Sequence, residues 1–216
     1  MKLYFRMFLL WLRLKKLPQV SFNAIAEFTS RVWPTDCDLN GHMTNTRYPN
    51  LFDLCHIQLF GQLGILPEVR KYKWNIMINA RTITYLRELQ PFQTFKVTTS
   101  LICWEKSYFY LEHRIYDQDN KISAVGYSRG LVTSQTGLKK FADVLAGRYQ
   151  QVDNGILIDY TQKSVSPEMP EHIKHWKDTL NIQKKLLRHS TRAQKALETP
   201  SKESQSDTSE STSKAD

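Results

Sequence analysis

Between Asn45 and Leu66 the chain carries two charges, Arg47 and Asp53. Tyr48, Leu51, Phe52, Cys55, Leu59, Leu63 and Leu66 recur at helical spacing, and Leu54, Ile57 and Phe60 widen the stripe. A helix apolar nearly all round must be enclosed by other elements. At 1.5 Å per residue it would run roughly 30 Å, the width of a small domain. The period then changes. Phe22 to Val32, before this helix, and Trp74 to Leu86, after it, are strand-compatible. Phe95, Val97, Thr99, Leu101 and Cys103 alternate with polar neighbours. Phe109, Leu111, His113 and Ile115 alternate against Tyr108, Tyr110, Glu112 and Arg114, and Val125, Tyr127, Arg129 and Leu131 continue the pattern. Glu105-Lys106 and Asp117 to Asn120 supply tight turns. The expectation is α+β: one strand, one long buried helix, then four antiparallel strands joined by short hairpins, with the helix covering one sheet face.

The segment that delivers the chain into this helix is Asp36-Cys37-Asp38-Leu39-Asn40-Gly41-His42-Met43-Thr44-Asn45. Asp36, Asp38, Asn40 and Gly41 match the opening of a calcium loop, but the twelfth position, which needs a bidentate Glu, is Arg47. A cation there repels the metal. Zinc or iron on Asp36, Asp38 and His42 lacks a helical His pair or a Cys pair. A Cys37 nucleophile with His42 as base lacks a third, orienting group. Neither a metal nor a cofactor is expected. Asp36, Asp38 and Asn40 also suit simple Asx turns and a helix cap. Position adds a further reading. The first amides of a helix are unpaired and its dipole is positive there, so this terminus can hold a developing oxyanion, and a carboxylate beside it can act as base or nucleophile. Together these suffice for acyl transfer.

The run Asp36, Asp38, Gly41, His42, Asn45, Tyr48 resembles the D-x-D-x-x-G-H-x-x-N-x-x-Y signature of hotdog-fold acyl-CoA thioesterases of the 4-hydroxybenzoyl-CoA thioesterase type. It is most similar to the thioesterase-superfamily branch that includes the THEM6-like proteins. The resemblance covers roughly residues 22–160 and implies a single hotdog domain, a curled antiparallel sheet around one helix. It implies an acyl-CoA thioester hydrolase in which Asp38 is the catalytic carboxylate. The backbone amide of Asn45 then polarises the thioester carbonyl, and His42 and Asn45 line the site. Asp36, Gly41 and Tyr48 complete the motif's contribution to substrate binding. Relatives often read H-x-N-N, whereas Thr44 stands here in place of the first Asn. Trp104, Lys106 and Ser107 resemble the hairpin that meets the CoA phosphates. A homodimer or tetramer is implied, since hotdog sites lie between subunits.

The ends of the chain differ from the middle. Residues 1–20 hold Lys2, Arg6, Arg13, Lys15 and Lys16 and no acid, within a total net charge of +9. On a helix, Lys2, Arg6, Arg13 and Lys16 share an arc, with Leu3, Tyr4, Met7, Phe8, Trp11 and Leu14 opposite and Pro18 as the stop. This basic amphipathic helix suits either an interfacial membrane anchor through residues 1–17 or packing on its own domain or a partner. The run Met7 to Leu12 is too short for a membrane span or a signal-peptide core. A second amphipathic stretch is expected over 170–197. The Ser/Thr-rich tail 199–216 cannot bury enough surface to offset its ordering entropy and is expected to be disordered. The three cysteines are widely spaced with no CxxC pair, which points to a reducing, cytoplasmic compartment. The basic surplus suits phosphate-bearing CoA as well as nucleic acid, but no nucleic-acid-binding signature accompanies it. The aromatic set Trp74, Tyr85, Tyr108, Phe109 and Tyr110 suits an acyl channel and an ordinary core equally. A non-catalytic acyl-binding or membrane-attached hotdog protein is the alternative function.

Overall fold

The computed structural model describes residues 2–14, 17–145, 150–153, 156–159 and 166–197. The tail 199–216 lies outside the described residues, as do the side chains of Lys2, Leu3, Tyr4, Trp11 and Lys16. Residues 1–168 form one unit and 169–216 a second.

In the first unit, helix α1 (Lys2–Leu14) precedes strand β1 (Ile25–Arg31), a 3₁₀ turn (Pro34–Asp36), α2 (Arg47–Gln62) and α3 (Ile65–Lys71). Strands β2 (Asn75–Tyr85), β3 (Thr94–Glu105), β4 (Tyr108–Tyr116) and β5 (Ile122–Ser134) follow. A two-residue strand β6 (Gly137–Leu138), a short helix α4 (Phe141–Leu145) and a hairpin of β7 (Gln150–Asp153) and β8 (Ile156–Asp159) complete it. The second unit contributes α5 (Glu171–Leu197).

The main sheet is antiparallel in the order β1-β3-β4-β5-β2. It curls around α2, giving the α+β hotdog architecture expected of the sequence. Three expectations need correction. First, of the links among the four strands β2 to β5, β3–β4 and β4–β5 are hairpins but β2–β3 is not; β2 pairs with β5 at the far edge, so residues 86–93 cross from one side of the sheet to the other. Alternation reports a strand's faces but not its neighbours. Second, the buried helix ends early. Gly64 takes a left-handed φ of 67°, its amide turning back to Gly61 O at 3.0 Å. This is the ordinary glycine stop. Pro67 then falls in the first turn of α3, where no amide hydrogen is required. α2 is therefore 16 residues, about 24 Å.

Third, the inward face of β5 is the opposite one. Ala124, Gly126, Ser128, Gly130 and Val132 are buried, while Val125, Tyr127, Arg129 and Leu131 are half-buried. Ring volume decides this. A Cβ on Gly126 would sit 2.5 Å from Phe52 Cε2, and one on Gly130 would meet the Phe109 ring. Phe109 in turn packs edge-on to Phe60 at 5.3 Å and tilted against Phe141 at 4.7 Å. The glycines accept the rings of α2 and β4, and an alternation read from side-chain hydrophobicity misses them. Gly130→Ala is therefore expected to cost about 1–3 kcal/mol by overpacking, measured by urea unfolding; an unchanged midpoint would show that the Phe109 ring yields freely.

Helix α1 lies on the first unit. A Cβ on Gly61 of α2 would approach Leu14 Cδ2 within 2.6 Å. Arg6 faces inward as well, not to solvent as Arg13 does: its guanidinium donates to Asp36 Oδ2 at 2.8 Å. The outer face keeps large apolar groups, with Phe8 54%, Leu9 47% and Leu12 43% exposed. No described helix is long and apolar enough to cross a membrane.

Candidate active site

The loop between the 3₁₀ turn and α2 is held at both ends and open in the middle. Its root is Asp36, 1% exposed. One carboxylate oxygen accepts from Arg6 and from the Trp33 amide at 3.2 Å, and Arg47 Nε stands 3.6 Å from the other. The Asp36 carbonyl accepts the Thr44 amide at 3.0 Å. Asp36 is thus enclosed by protein partners, and its expected contact with substrate is replaced by a structural one: it anchors the loop. The Asp38 amide donates to His42 O at 3.1 Å, the Gly41 amide to Asp38 O at 3.1 Å, and the Met43 amide to Leu89 O at 2.8 Å. Gly41 sits exposed at φ +79°, a conformation that side-chain-bearing residues rarely adopt.

Asp38 is at the open part, its side chain 35% exposed. Oδ1 accepts the Asn40 amide at 2.9 Å, an Asx turn, and lies 3.9 Å from His42 Nδ1. The other edge of the imidazole, Nε2, is 3.7 Å from Glu88 Oε1. His42 therefore stands between two carboxylates, one of which, Glu88 in the 86–93 connection, has no signature in the sequence.

Helix α2 begins beside this group. The Arg47 amide turns back to Thr44 O at 2.9 Å and the Tyr48 amide to Asn45 O at 3.3 Å. The Asn45 amide has no acceptor among the described residues, and it stands at the positive end of α2. Tyr85, the last residue of β2, donates its hydroxyl to Asn45 O at 3.2 Å and packs edge-on to Tyr48 at 4.9 Å. Tyr48 is buried, and burial is the chief cause that pushes its phenol up to about 12, so it stays protonated. It supports the helix start from beneath and presents no open face. The structure thus brings Asp38 and His42 together, with Asn45 three residues on, ahead of α2, where the Tyr85 hydroxyl reaches its carbonyl and Tyr85 packs on Tyr48.

Trp104, Lys106 and Ser107 are elsewhere. The loop follows the end of β1, where Arg31 pairs with Thr94 at the start of β3. Trp104 and Lys106 lie at the other end of β3, 10 and 12 residues on, up to roughly 33–40 Å along an extended strand. Trp104 is moreover 5% exposed, packed edge-on to Phe22, with its amide donating to Ser166 Oγ at 2.9 Å. It is a core residue, not a ligand contact. Lys106 is exposed at φ 53° in the tight turn, and its carbonyl accepts the Phe141 amide.

The Cys37 thiol donates weakly to Trp33 O at 3.6 Å. Its pKa is raised by desolvation first and by the Asp36 and Asp38 charges next, the opposite of what a thiolate nucleophile needs. Cys37, Cys55 and Cys103 are not joined in disulfides. Among the described residues no group of three His, Cys, Asp or Glu could hold a metal ion.

A second polar group lies deeper, between α2 and the sheet. Arg81 reaches Asp53, Pro49 O at 3.1 Å and Ser128 Oγ at 2.9 Å. Ser128 Oγ meets His113 Nε2 at 3.0 Å, and His113 Nδ1 meets Thr99 Oγ1 at 2.8 Å. His113 stacks on Phe52 at 4.6 Å. His56 lies 3.5 Å from Asp53. Desolvation pushes the His56 pKa down to about 4 and that of His113 well below its ordinary value. Sequence alternation marks His113 as inward-facing; it does not reveal its partners.

The residue range 32–177 matches the Thioesterase-like superfamily. The chain is 29% identical over 150 residues to Protein THEM6 of Xenopus laevis, covering 69% of this chain and 65% of that protein, so it spans just under two thirds of that relative. It is 27% identical over 159 residues to Protein THEM6 of Danio rerio, covering 73% and 71%. A Staphylococcus aureus protein solved in complex with CoA superimposes with a TM-score of 0.52 at 16% identity, over 72% of this chain and 95% of that one, a likeness of fold. The chain belongs to the Thioesterase-like superfamily, and its domain is a hotdog fold.

Proposed function

We propose that this protein hydrolyses acyl-CoA thioesters. The observation that carries the reading is a solvent-reachable carboxylate, Asp38, in a loop anchored at both ends and leading directly to the unpaired Asn45 amide at the start of α2. In the simplest course, Asp38 takes a proton from water as its oxygen attacks the thioester carbonyl carbon. The Asn45 amide donates to the oxyanion that forms. The carbon–sulfur bond then breaks and the thiolate leaves, collecting the proton. His42, beside Asp38, orients the carboxylate and lines the site. Direct attack by Asp38, with an anhydride later hydrolysed, uses the same groups.

CoA as the thiol half is supported by the net charge of +9 and by the CoA found in the Staphylococcus aureus neighbour. A homodimer or tetramer is supported by the sheet: the Lys106 turn and the Asp38 loop lie toward opposite ends of β3, so if both serve one ligand, a second copy supplies one of them. The exposed Phe8, Leu9 and Leu12 of α1, on a helix rich in cations, suit a peripheral contact with an anionic membrane surface from the cytoplasmic side.

The test is free-thiol release by the purified full chain from short, medium, long and aromatic acyl-CoAs. Turnover on at least one member is expected. Folded protein that turns over none of them, yet binds an acyl-CoA, would replace this reading with a non-catalytic acyl-binding hotdog.

A further inference from the structure

We infer that Arg6, on the N-terminal helix, is a positioning residue for the catalytic loop, acting through Asp36; the inference rests on the hydrolase reading above. The geometry is that of a buried strut. The Asp36 carboxylate is 1% exposed, and such a charge inside a protein requires partners. Its shortest ion pair comes not from the hotdog domain's own sheet but from α1, thirty residues earlier in the chain, with Arg6 to Asp36 Oδ2 at 2.8 Å. The same guanidinium nitrogen lies 3.4 Å from Arg31 O at the end of β1. Arg47 approaches the other oxygen only to 3.6 Å, and it also holds Thr35 O at 3.0 Å.

What Asp36 fixes is the path of the loop. Its side chain ties the 3₁₀ turn through the Trp33 amide, and its carbonyl ties the loop's return through the Thr44 amide. Asp38 and Asn45, the proposed base and oxyanion donor, lie two residues after the first tie and one after the second. Without the Arg6 charge, Asp36 must either draw Arg47 from the first turn of α2 or turn outward to water. Either shift changes the spacing of Asp38 and the Asn45 amide, and misplacement of about 1 Å costs on the order of 100-fold in rate. α1 is by this reading part of the catalytic scaffold, whatever its outer face touches.

The test uses Arg6→Gln in the full chain, with Arg6→Lys as the conservative variant and Arg13→Gln as a same-helix control. Amide hydrogen exchange of Asp38, Met43 and Thr44 is read at a temperature well below unfolding, alongside kcat and KM. In Arg6→Gln, exchange at these amides is expected to quicken about 10-fold or more, with exchange inside α2 unchanged. kcat is expected to fall about 10- to 100-fold with KM within about 3-fold. Arg6→Lys recovers a good part of both, and Arg13→Gln matches the parent. A variant that unfolds is replaced by Asp36→Asn, which removes the same pair and carries the same expectations. Unchanged loop exchange, or unchanged kcat with quickened exchange, overturns the inference. Quickened exchange in a chain whose parent hydrolyses no thioester leaves the strut standing as a loop anchor, but overturns it as a device for this reaction, and so separates the two failures.

Discussion

Asp38→Asn is expected to lower kcat on the best acyl-CoA by about 1,000-fold or more while leaving the fold intact. General-base catalysis contributes about 10²–10⁴, and a lost nucleophile costs more. The substitution is nearly isosteric. The Asn oxygen still accepts the Asn40 amide, so the Asx turn that shapes the loop survives. The side chain is 35% exposed and its ionic neighbour, His42, is 3.9 Å away, so stability is expected to move by less than about 1 kcal/mol. What is lost is the ability to take a proton or to attack. KM is expected to stay within a few-fold, because the proposed oxyanion donor at Asn45 and the enclosing residues are untouched. Asp36→Asn is the instructive contrast: that carboxylate is buried among Arg6, Arg47 and the Trp33 amide, so its loss registers in stability and loop exchange as well as rate. Full turnover in Asp38→Asn would remove Asp38 from the chemistry and shift attention to His42 and Glu88.

The contrast between the two aspartates also shows where a linear reading of this chain succeeds and where it stops. The apolar run from Asn45, the alternation of β3 and β4, and the polar loop between β1 and α2 are local properties, and each is written in the spacing of its own residues. The motif places Asp38, His42 and Asn45 together because they are consecutive elements of one loop. By resemblance Asp36 belongs with the substrate-binding residues of the same run, and only the arrival of Arg6 from a distant helix shows it to be an anchor. Long-range facts of this sort have no local mark. The pairing of β2 with β5, the approach of Glu88 to His42 and the chain of Arg81, Ser128, His113 and Thr99 all join residues tens of positions apart. Gly126 and Gly130 are a subtler case: a hydrophobic alternation cannot register a face made of hydrogens, yet that face receives the rings of Phe52 and Phe109. Trp104, read as a ligand contact by resemblance, is a large ring with a local core to fill, and packing claims it.

Folding stability is expected to fall as the medium is acidified below about pH 6.5, and the buried histidines are the reason. His56 has a folded pKa near 4, against an ordinary value of 6.5, because burial penalises the imidazolium; Asp53 favours that cation and Arg81 opposes it. His113 is displaced in the same direction by burial, then by His56 and Arg81. Between these values the unfolded chain binds protons that the folded chain refuses. The contribution is therefore complete above 6.5, declines as pH falls from there, and is exhausted near 4. For His56 alone the loss is about 2 kcal/mol by pH 5, from a displacement of about 2.5 units at 1.36 kcal/mol per unit. His113 adds to it with the same sign. Urea unfolding of the parent and of His56→Gln at intervals from pH 7.5 to 5 measures the difference directly, since the carboxylates common to both cancel. The two curves are expected to converge toward pH 5 by about 2 kcal/mol, the variant having lost the histidine's share of the slope. Curves that stay parallel would mean that His56 titrates alike in the folded and unfolded chains, and that water reaches the seam between α2 and β2.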